Sequence, residues 1–116
     1  MSASVLVIME QRGGSWSRMS WETLAAGQQL ASQISGTVSA AVAGQGIGAL
    51  ANELASKKLD KVYAVEHHLL GAYTADGYTA ALEQLIRKAS ASVVLFPHTY
   101  QVRDFAPKLA TRFNRS

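Results

Sequence analysis

Val5-Leu6-Val7-Ile8-Met9 is an unbroken apolar run, too short for a helix and without the alternation of a half-exposed strand. A strand covered on both faces reads this way, and such strands are typically parallel. Three later runs repeat the pattern: Val38 to Ala43, Val62-Tyr63-Ala64-Val65 and Val93-Val94-Leu95-Phe96. Segments of helical period lie between and after them. Leu24, Gly27, Ala31 and Ile34 form one stripe, with Leu30 beside it, and Ile47, Leu50, Ala51 and Leu54 form a second. Tyr78, Ala81, Leu82, Leu85 and Ile86 form the clearest, with Glu83 and Arg87 as an i,i+4 pair on its far side. Phe105, Leu109 and Phe113 line a last helix. The order βαβαβαβα implies an open, doubly wound parallel sheet of four βα units in three α/β/α layers, because parallel strands need right-handed helical crossovers.

The punctuation refines this frame. Ser20 is expected to cap the first helix and Gly36 to follow its end, while Asp76 is expected to cap the third. Proline is tolerated best in a first turn, so Pro107 places the start of the last helix near Asp104. In a sheet of order 3-2-1-4 the strand Ser92 to Phe96 is left at an edge, without the charges that usually protect one. That strand is expected to pair, either with more chain of a longer protein or with another chain. The edge also leaves the isolated chain open to self-association.

The chain has 116 residues, 48% of them hydrophobic, which suits one domain. It has no cysteine, so a disulfide scaffold, a thiolate metal site and a cysteine nucleophile are excluded. No apolar run reaches the roughly 20 residues of a membrane helix, and the opening residues lack a signal-peptide pattern. A soluble protein of a bacterial cytoplasm is expected, with no membrane insertion. The net charge is +3, and residues 1–98 are balanced. Arg103, Lys108, Arg112 and Arg115 against Asp104 carry the excess on one terminal helix, where it favours the helix dipole. A nucleic-acid stripe interleaved with aromatics is not present, so no nucleic-acid partner is expected.

In such a sheet, ligands sit beyond the carboxyl ends of the strands, at the switch point between the first and fourth. Gly44-Gln45-Gly46-Ile47-Gly48 leads into a helix start, where amides could hold a phosphate. It is not the GxGxxG pattern, it follows the second strand, and a tight turn with positive φ explains it as well. Pro97-His98-Thr99 and Arg103 stand at the switch point with chemistry that suits a ligand or a plain helix start. Gly44, Gln45, Gly46, His98, Thr99 and Arg103 are therefore the candidates for a nucleotide pocket. His67-His68 has only Glu66 beside it and reads as a surface pair, so no metal site is expected. Trp16 falls in a long loop with Gly13-Gly14, as an interface anchor or a disordered tip. No GxSxG and no carboxylate pair for acid–base work is present, so no catalytic residue and no enzyme activity are assigned.

Four segments together resemble a known family: VLVIMEQRGG (5–14), VSAAVAGQG (38–46), LDKVYAVEHHLLGAYTADGYTAALEQLI (59–86) and VVLFPHTYQVRDFAPKLATRF (93–113). They look like the N-terminal domain of electron transfer flavoprotein alpha subunits. The last segment is the most specific: Pro97, Thr99, Arg103, Asp104, Ala106, Pro107, Leu109 and Ala110 match, while Val102 replaces a usual glycine and Phe105 a usual leucine. The resemblance implies a Rossmann-like fold of the adenine nucleotide alpha hydrolase-like kind. It implies pairing with a beta subunit as a heterodimer. It implies FAD in the full complex, held mostly by a C-terminal domain absent from this sequence. It also implies electron transport from flavin dehydrogenases, such as those of fatty acid oxidation, to a quinone reductase. Residues 1–116 then form a single, incomplete N-terminal domain, a scaffold and subunit-interface piece with no cofactor of its own. The alternative is a free-standing adenine-nucleotide-binding module like the universal stress proteins. Those proteins usually have a glycine-rich loop after the fourth strand, where this chain has Pro97-His98-Thr99-Tyr100-Gln101.

Overall fold

A computed structural model describes residues 3–114. The central sheet has the order β5-β4-β1-β6, built from β1 (Ser4–Met9), β4 (Thr37–Gly44), β5 (Val62–Glu66) and β6 (Val93–Leu95). All three pairings are parallel, with Val5 opposite Val38 and Val93. The helices are α1 (Arg18–Gln33), α2 (Gly48–Ala55), α3 (Ala75–Ala89) and α4 (Tyr100–Arg112), with a 3-10 turn at His68–Leu70. The four apolar runs become the four parallel strands, and the order is the one their connections imply.

The strand period sorts the core into two layers. Val5, Val7 and Met9 pack with Ala40, Val42, Leu24, Leu50 and Leu54 under α1 and α2. Leu6 and Ile8 face the other way, with Ala41, Leu82, Leu85, Phe105 and Leu109 under α3 and α4. Burial on both faces removes the polar side that would have made the strands alternate. α1 lies close to the sheet at Gly27, where an added Cβ would run into Val7 Cγ2. Ile34, expected in the α1 stripe, is 40% exposed, because the helix ends at Gln33 and Ile34 is its C-cap.

Helix starts differ from expectation in three places. α1 begins at Arg18 after Ser17, and Ser20 is not its cap but a fully buried residue one turn in. Its Oγ accepts from Glu10 N at 2.7 Å and donates to Glu10 O at 3.1 Å, so it pins the helix to the end of β1. α3 is capped by Thr74, whose Oγ1 accepts from Gly77 N at 3.1 Å; Asp76 sits inside the first turn, where a carboxylate suits the helix dipole. α4 starts at Tyr100, not near Asp104, and continues through Pro107. The start is set by Thr99, whose extended backbone and Oγ1 bond from Val102 N at 3.2 Å make a full cap.

The stretch after β1 is a short hairpin of β2 (Gln11–Arg12) and β3 (Ser15–Trp16). Gly13 and Gly14 take φ of 57° and 88° at its two-residue turn, as the twist of a tight hairpin demands. Trp16 is therefore neither a free tip nor an open anchor. Its ring meets Trp21 edge-on at 5.6 Å, and its Nε1 donates to Glu53 Oε1 at 2.8 Å. β6 pairs only with β1 and leaves its outer edge open among the described residues. A groove of about 700 Å³ runs beside that edge, lined by Ile86, Val94, Phe96, Leu109 and Phe113 among others.

Candidate functional site

The carboxyl ends of β1 and β6 flank the switch point of the sheet. The crevice there is closed. Thr99 Oγ1 donates to Glu10 Oε1 at 2.6 Å, which joins the residue after β1 to the cap of α4. Glu10 also accepts from Ser17 N at 2.9 Å through its carbonyl, so one residue ties β1, α1 and α4 together. The cavity behind this bond is about 20 Å³, space for about one water.

The glycine loop lies on the other side of β1, beyond β4. Gly44 closes β4, where its carbonyl accepts from His67 N at 3.0 Å, and Gly46 has φ of 69°. Gly46 N donates to Glu66 Oε2 at 2.6 Å and Ile47 N to Glu66 Oε1 at 3.0 Å. The chain's own carboxylate thus takes the amides that a phosphate would need. These two donors hold the Glu66 carboxyl below its ordinary range. Gln45 lies against Gly71, where an added Cβ would meet Gln45 Oε1.

The remaining candidates do not converge with that loop. His98 is exposed, and Arg103 lies over the ring of Tyr100 at 5.6 Å from its centroid, with Tyr100 itself 84% exposed. Of the six candidate residues, the sheet places Gly44, Gln45 and Gly46 beyond β4 and His98, Thr99 and Arg103 beyond β6, with β1 between them. His67 and His68 stack on each other with centroids 4.6 Å apart. Among the described residues no three His, Cys, Asp or Glu gather as a metal site.

A polar cleft at the same end escaped the sequence reading. It holds about 320 Å³ between the β2–β3 hairpin, the 3-10 turn and the first turns of α3 and α4. Arg12, Leu70, Tyr73, Tyr78 and Gln101 line it. Tyr73 OH donates to Asp104 Oδ2 at 2.6 Å, and burial, then this bond, pushes the phenol well above its ordinary range. Tyr78 is raised too, by burial and then by the Glu10 charge. Both phenols therefore stay protonated at neutral pH. The Tyr73 and Tyr78 ring centroids are 5.2 Å apart, and both rings meet Phe105. The only sequence signal for this cleft is the Tyr73…Tyr78 spacing.

Comparison with known proteins bears on the whole chain. The model of the electron transfer flavoprotein domain matches residues 5–116. The chain belongs to the electron transfer flavoprotein family. It is similar to the electron transfer flavoprotein subunit alpha of Syntrophomonas wolfei, with 34% identity over 110 residues, covering 95% of this chain and 33% of the relative. The subunit alpha of Bacillus subtilis is 34% identical over 112 residues, 97% of this chain and 34% of the relative. A protein named acryloyl-CoA reductase electron transfer subunit beta, from Anaerotignum propionicum, is 28% identical over 110 residues, 95% of this chain and 30% of the relative. The chain spans about a third of the length of the curated relatives it matches. The electron transfer flavoprotein assignment agrees with the three-layer α/β/α sheet, and no helix among the described residues is long and apolar enough to cross a membrane.

Proposed function

We propose that this chain is the N-terminal α/β domain of an electron transfer flavoprotein alpha subunit, acting as scaffold and subunit interface. The observation that carries the reading is the family match over residues 5–116, together with relatives named as alpha subunits of this flavoprotein. In the complete protein the domain pairs with a beta subunit in the bacterial cytoplasm. The assembly takes electrons from flavin dehydrogenases and passes them to a quinone reductase. FAD supplies the redox chemistry there, and the protein positions and tunes it.

The residues of this chain do not suit FAD. The glycine-loop amides are held by Glu66, and the switch-point crevice is shut by the Thr99–Glu10 bond. The polar cleft, at about 320 Å³, lies at the small end of ligand pockets and is short of room for a dinucleotide. These features also speak against the free-standing nucleotide module. The chain's contribution is a rigid α/β body, and its unpaired β6 edge with the adjoining groove is the face we assign to further chain of the full-length subunit.

The test is co-purification of this chain with an electron transfer flavoprotein beta subunit, with and without the remainder of an alpha subunit. The expected result is flavin absorbance only when the remainder is present. FAD retained stoichiometrically by this chain alone would overturn the scaffold reading.

A further inference from the structure

We propose that the outer edge of β5 is a docking surface for a second copy of this chain, the two β5 strands pairing antiparallel about a two-fold axis at Ala64. The inference rests on this edge alone and goes beyond the pairing with a beta subunit. β5 closes the side of the sheet opposite β6 and pairs only with β4 among the described residues. Ala40 N donates to Lys61 O at 3.1 Å, and His67 N donates to Gly44 O at 3.0 Å. Backbone groups alternate in direction along a strand. Lys61, Tyr63, Val65 and His67 therefore turn theirs to β4, while Val62, Ala64 and Glu66 turn theirs outward. No other described segment bonds to those outward groups. The edge also lacks the usual protection. No proline or bulge interrupts Val62–Glu66, and Ala64 at its centre is exposed. Its one charge, Glu66, stands at the last position with its carboxylate turned to the loop amides.

The strand is complementary to itself. With the axis at Ala64, that residue exchanges both backbone bonds with Ala64 of the second copy, and Val62 does the same with Glu66. The same register sets Tyr63 opposite Val65 on the α3 face, on both sides of the axis. An aromatic opposite a β-branched side chain is a favourable cross-strand pair. Both side chains are half-buried in the single copy and line a groove of about 330 Å³ along α3, with Ala81, Leu85 and Lys88 in its wall. On the α2 face the axis meets only Ala64 against Ala64, so no bulky side chain blocks the approach. The neighbouring two-fold registers are worse. An axis at Glu66 sets two carboxylates against each other, and an axis at Val62 carries Ala64 and Glu66 past the end of the facing strand. Charge selects the direction. Lys57, Lys58, Lys61 and Lys88 surround the start of β5, against Asp60 and the Trp16-bonded Glu53, and none of these lysines is ion-paired among the described residues. The end of β5 carries Glu66. Antiparallel pairing brings the basic start of one copy to the Glu66 end of the other, whereas parallel pairing sets like ends together.

The chain has no cysteine, so a single introduced thiol reports on one contact. Residues facing each other in a bonded antiparallel pair have Cα atoms roughly 5.5 Å apart, within disulfide reach. Ala64→Cys should therefore oxidise to a covalent dimer, and Ser92→Cys, beside the β6 edge, should not. Sedimentation velocity of the wild-type chain should show a concentration-dependent dimer. Ala64→Lys places two like charges at the axis and should weaken that dimer at least about tenfold. The position is exposed, so the far-UV circular dichroism of this variant should match the wild type. If Ala64→Lys loses its fold, the crosslinking of Ala64→Cys decides alone. A wild-type chain that stays monomeric up to millimolar concentration would overturn the proposal. A dimer that a folded Ala64→Lys leaves intact would overturn it too. So would crosslinking of Ser92→Cys without crosslinking of Ala64→Cys, which would put the contact at the β6 edge.

Discussion

Thr99 donates its hydroxyl to Glu10 while the same oxygen accepts the Val102 amide, so one side chain both caps α4 and closes the switch point. The two residues are 89 apart in the chain, and the bond fixes where α4 starts relative to β1. Thr99→Ala removes the cap and leaves Glu10 without its donor. A cost of about 2 kcal/mol is expected from the two losses together, read as a lower urea midpoint with unchanged slope. Thr99→Ser keeps both bonds and should recover most of it. Equal destabilisation by Ala and Ser would show that the hydroxyl does not matter.

Glu66 makes stability depend on pH. Its carboxyl is held below its ordinary range by the Ile47 and Gly46 amides, so the unfolded chain binds the proton more readily than the folded one. Stability from this group is complete above the unfolded carboxylate range and is lost as pH falls through the depressed folded value. Glu66→Gln should therefore be less stable than the wild type at pH 7, and the gap should narrow as pH drops to 3. Parallel urea midpoints for the two proteins across that range would contradict the assignment.

Gly27 is where α1 meets the sheet. A Cβ there collides with Val7, which is fully buried in the middle of β1 and has nowhere to move. Gly27→Ala gains helix propensity of about 1 kcal/mol but overpacks the interface by about 1–3 kcal/mol. Net destabilisation is expected. The double variant with Val7→Ala should be more stable than the two single costs add up to, because each change makes room for the other. Simple additivity in that cycle would place the clash elsewhere.

The strands and their order were readable because burial on both faces leaves continuous apolar runs, which survive as runs whatever surrounds them. Local chemistry was harder to read wherever a partner lay far along the chain. Ser20 looks like a cap by its type, yet its hydroxyl serves Glu10 across the first βα connection. The glycine loop looks open to phosphate until Glu66, 20 residues on, is folded against it. The hairpin at Gly13-Gly14 carried a usable signal in its two adjacent glycines, but strands of two residues have no periodicity to detect.

Pro107 sharpens the last of these lessons, because a rule about proline gave way to a cap. Thr99 starts the helix at Tyr100, and Gln101, Val102, Phe105 and Leu109 then form one buried stripe that holds α4 in place through Pro107. The proline has no N–H, so the Arg103 carbonyl lacks its donor four residues on. Arg103 and Pro107 both lie on the exposed face of α4, away from the buried stripe, which makes the loss tolerable. Pro107→Ala restores the donor and removes the ring from the preceding turn, against a small gain in unfolded-chain freedom. The variant should be more stable by about 1–2 kcal/mol, a part of the roughly 3 kcal/mol that proline costs in a helix interior. Hydrogen exchange should slow in the turn around Arg103 to Pro107 more than elsewhere in α4. A less stable variant would mean that the helix is bent at Pro107 to fit the sheet, and that straightening it breaks the packing of Phe105 and Leu109.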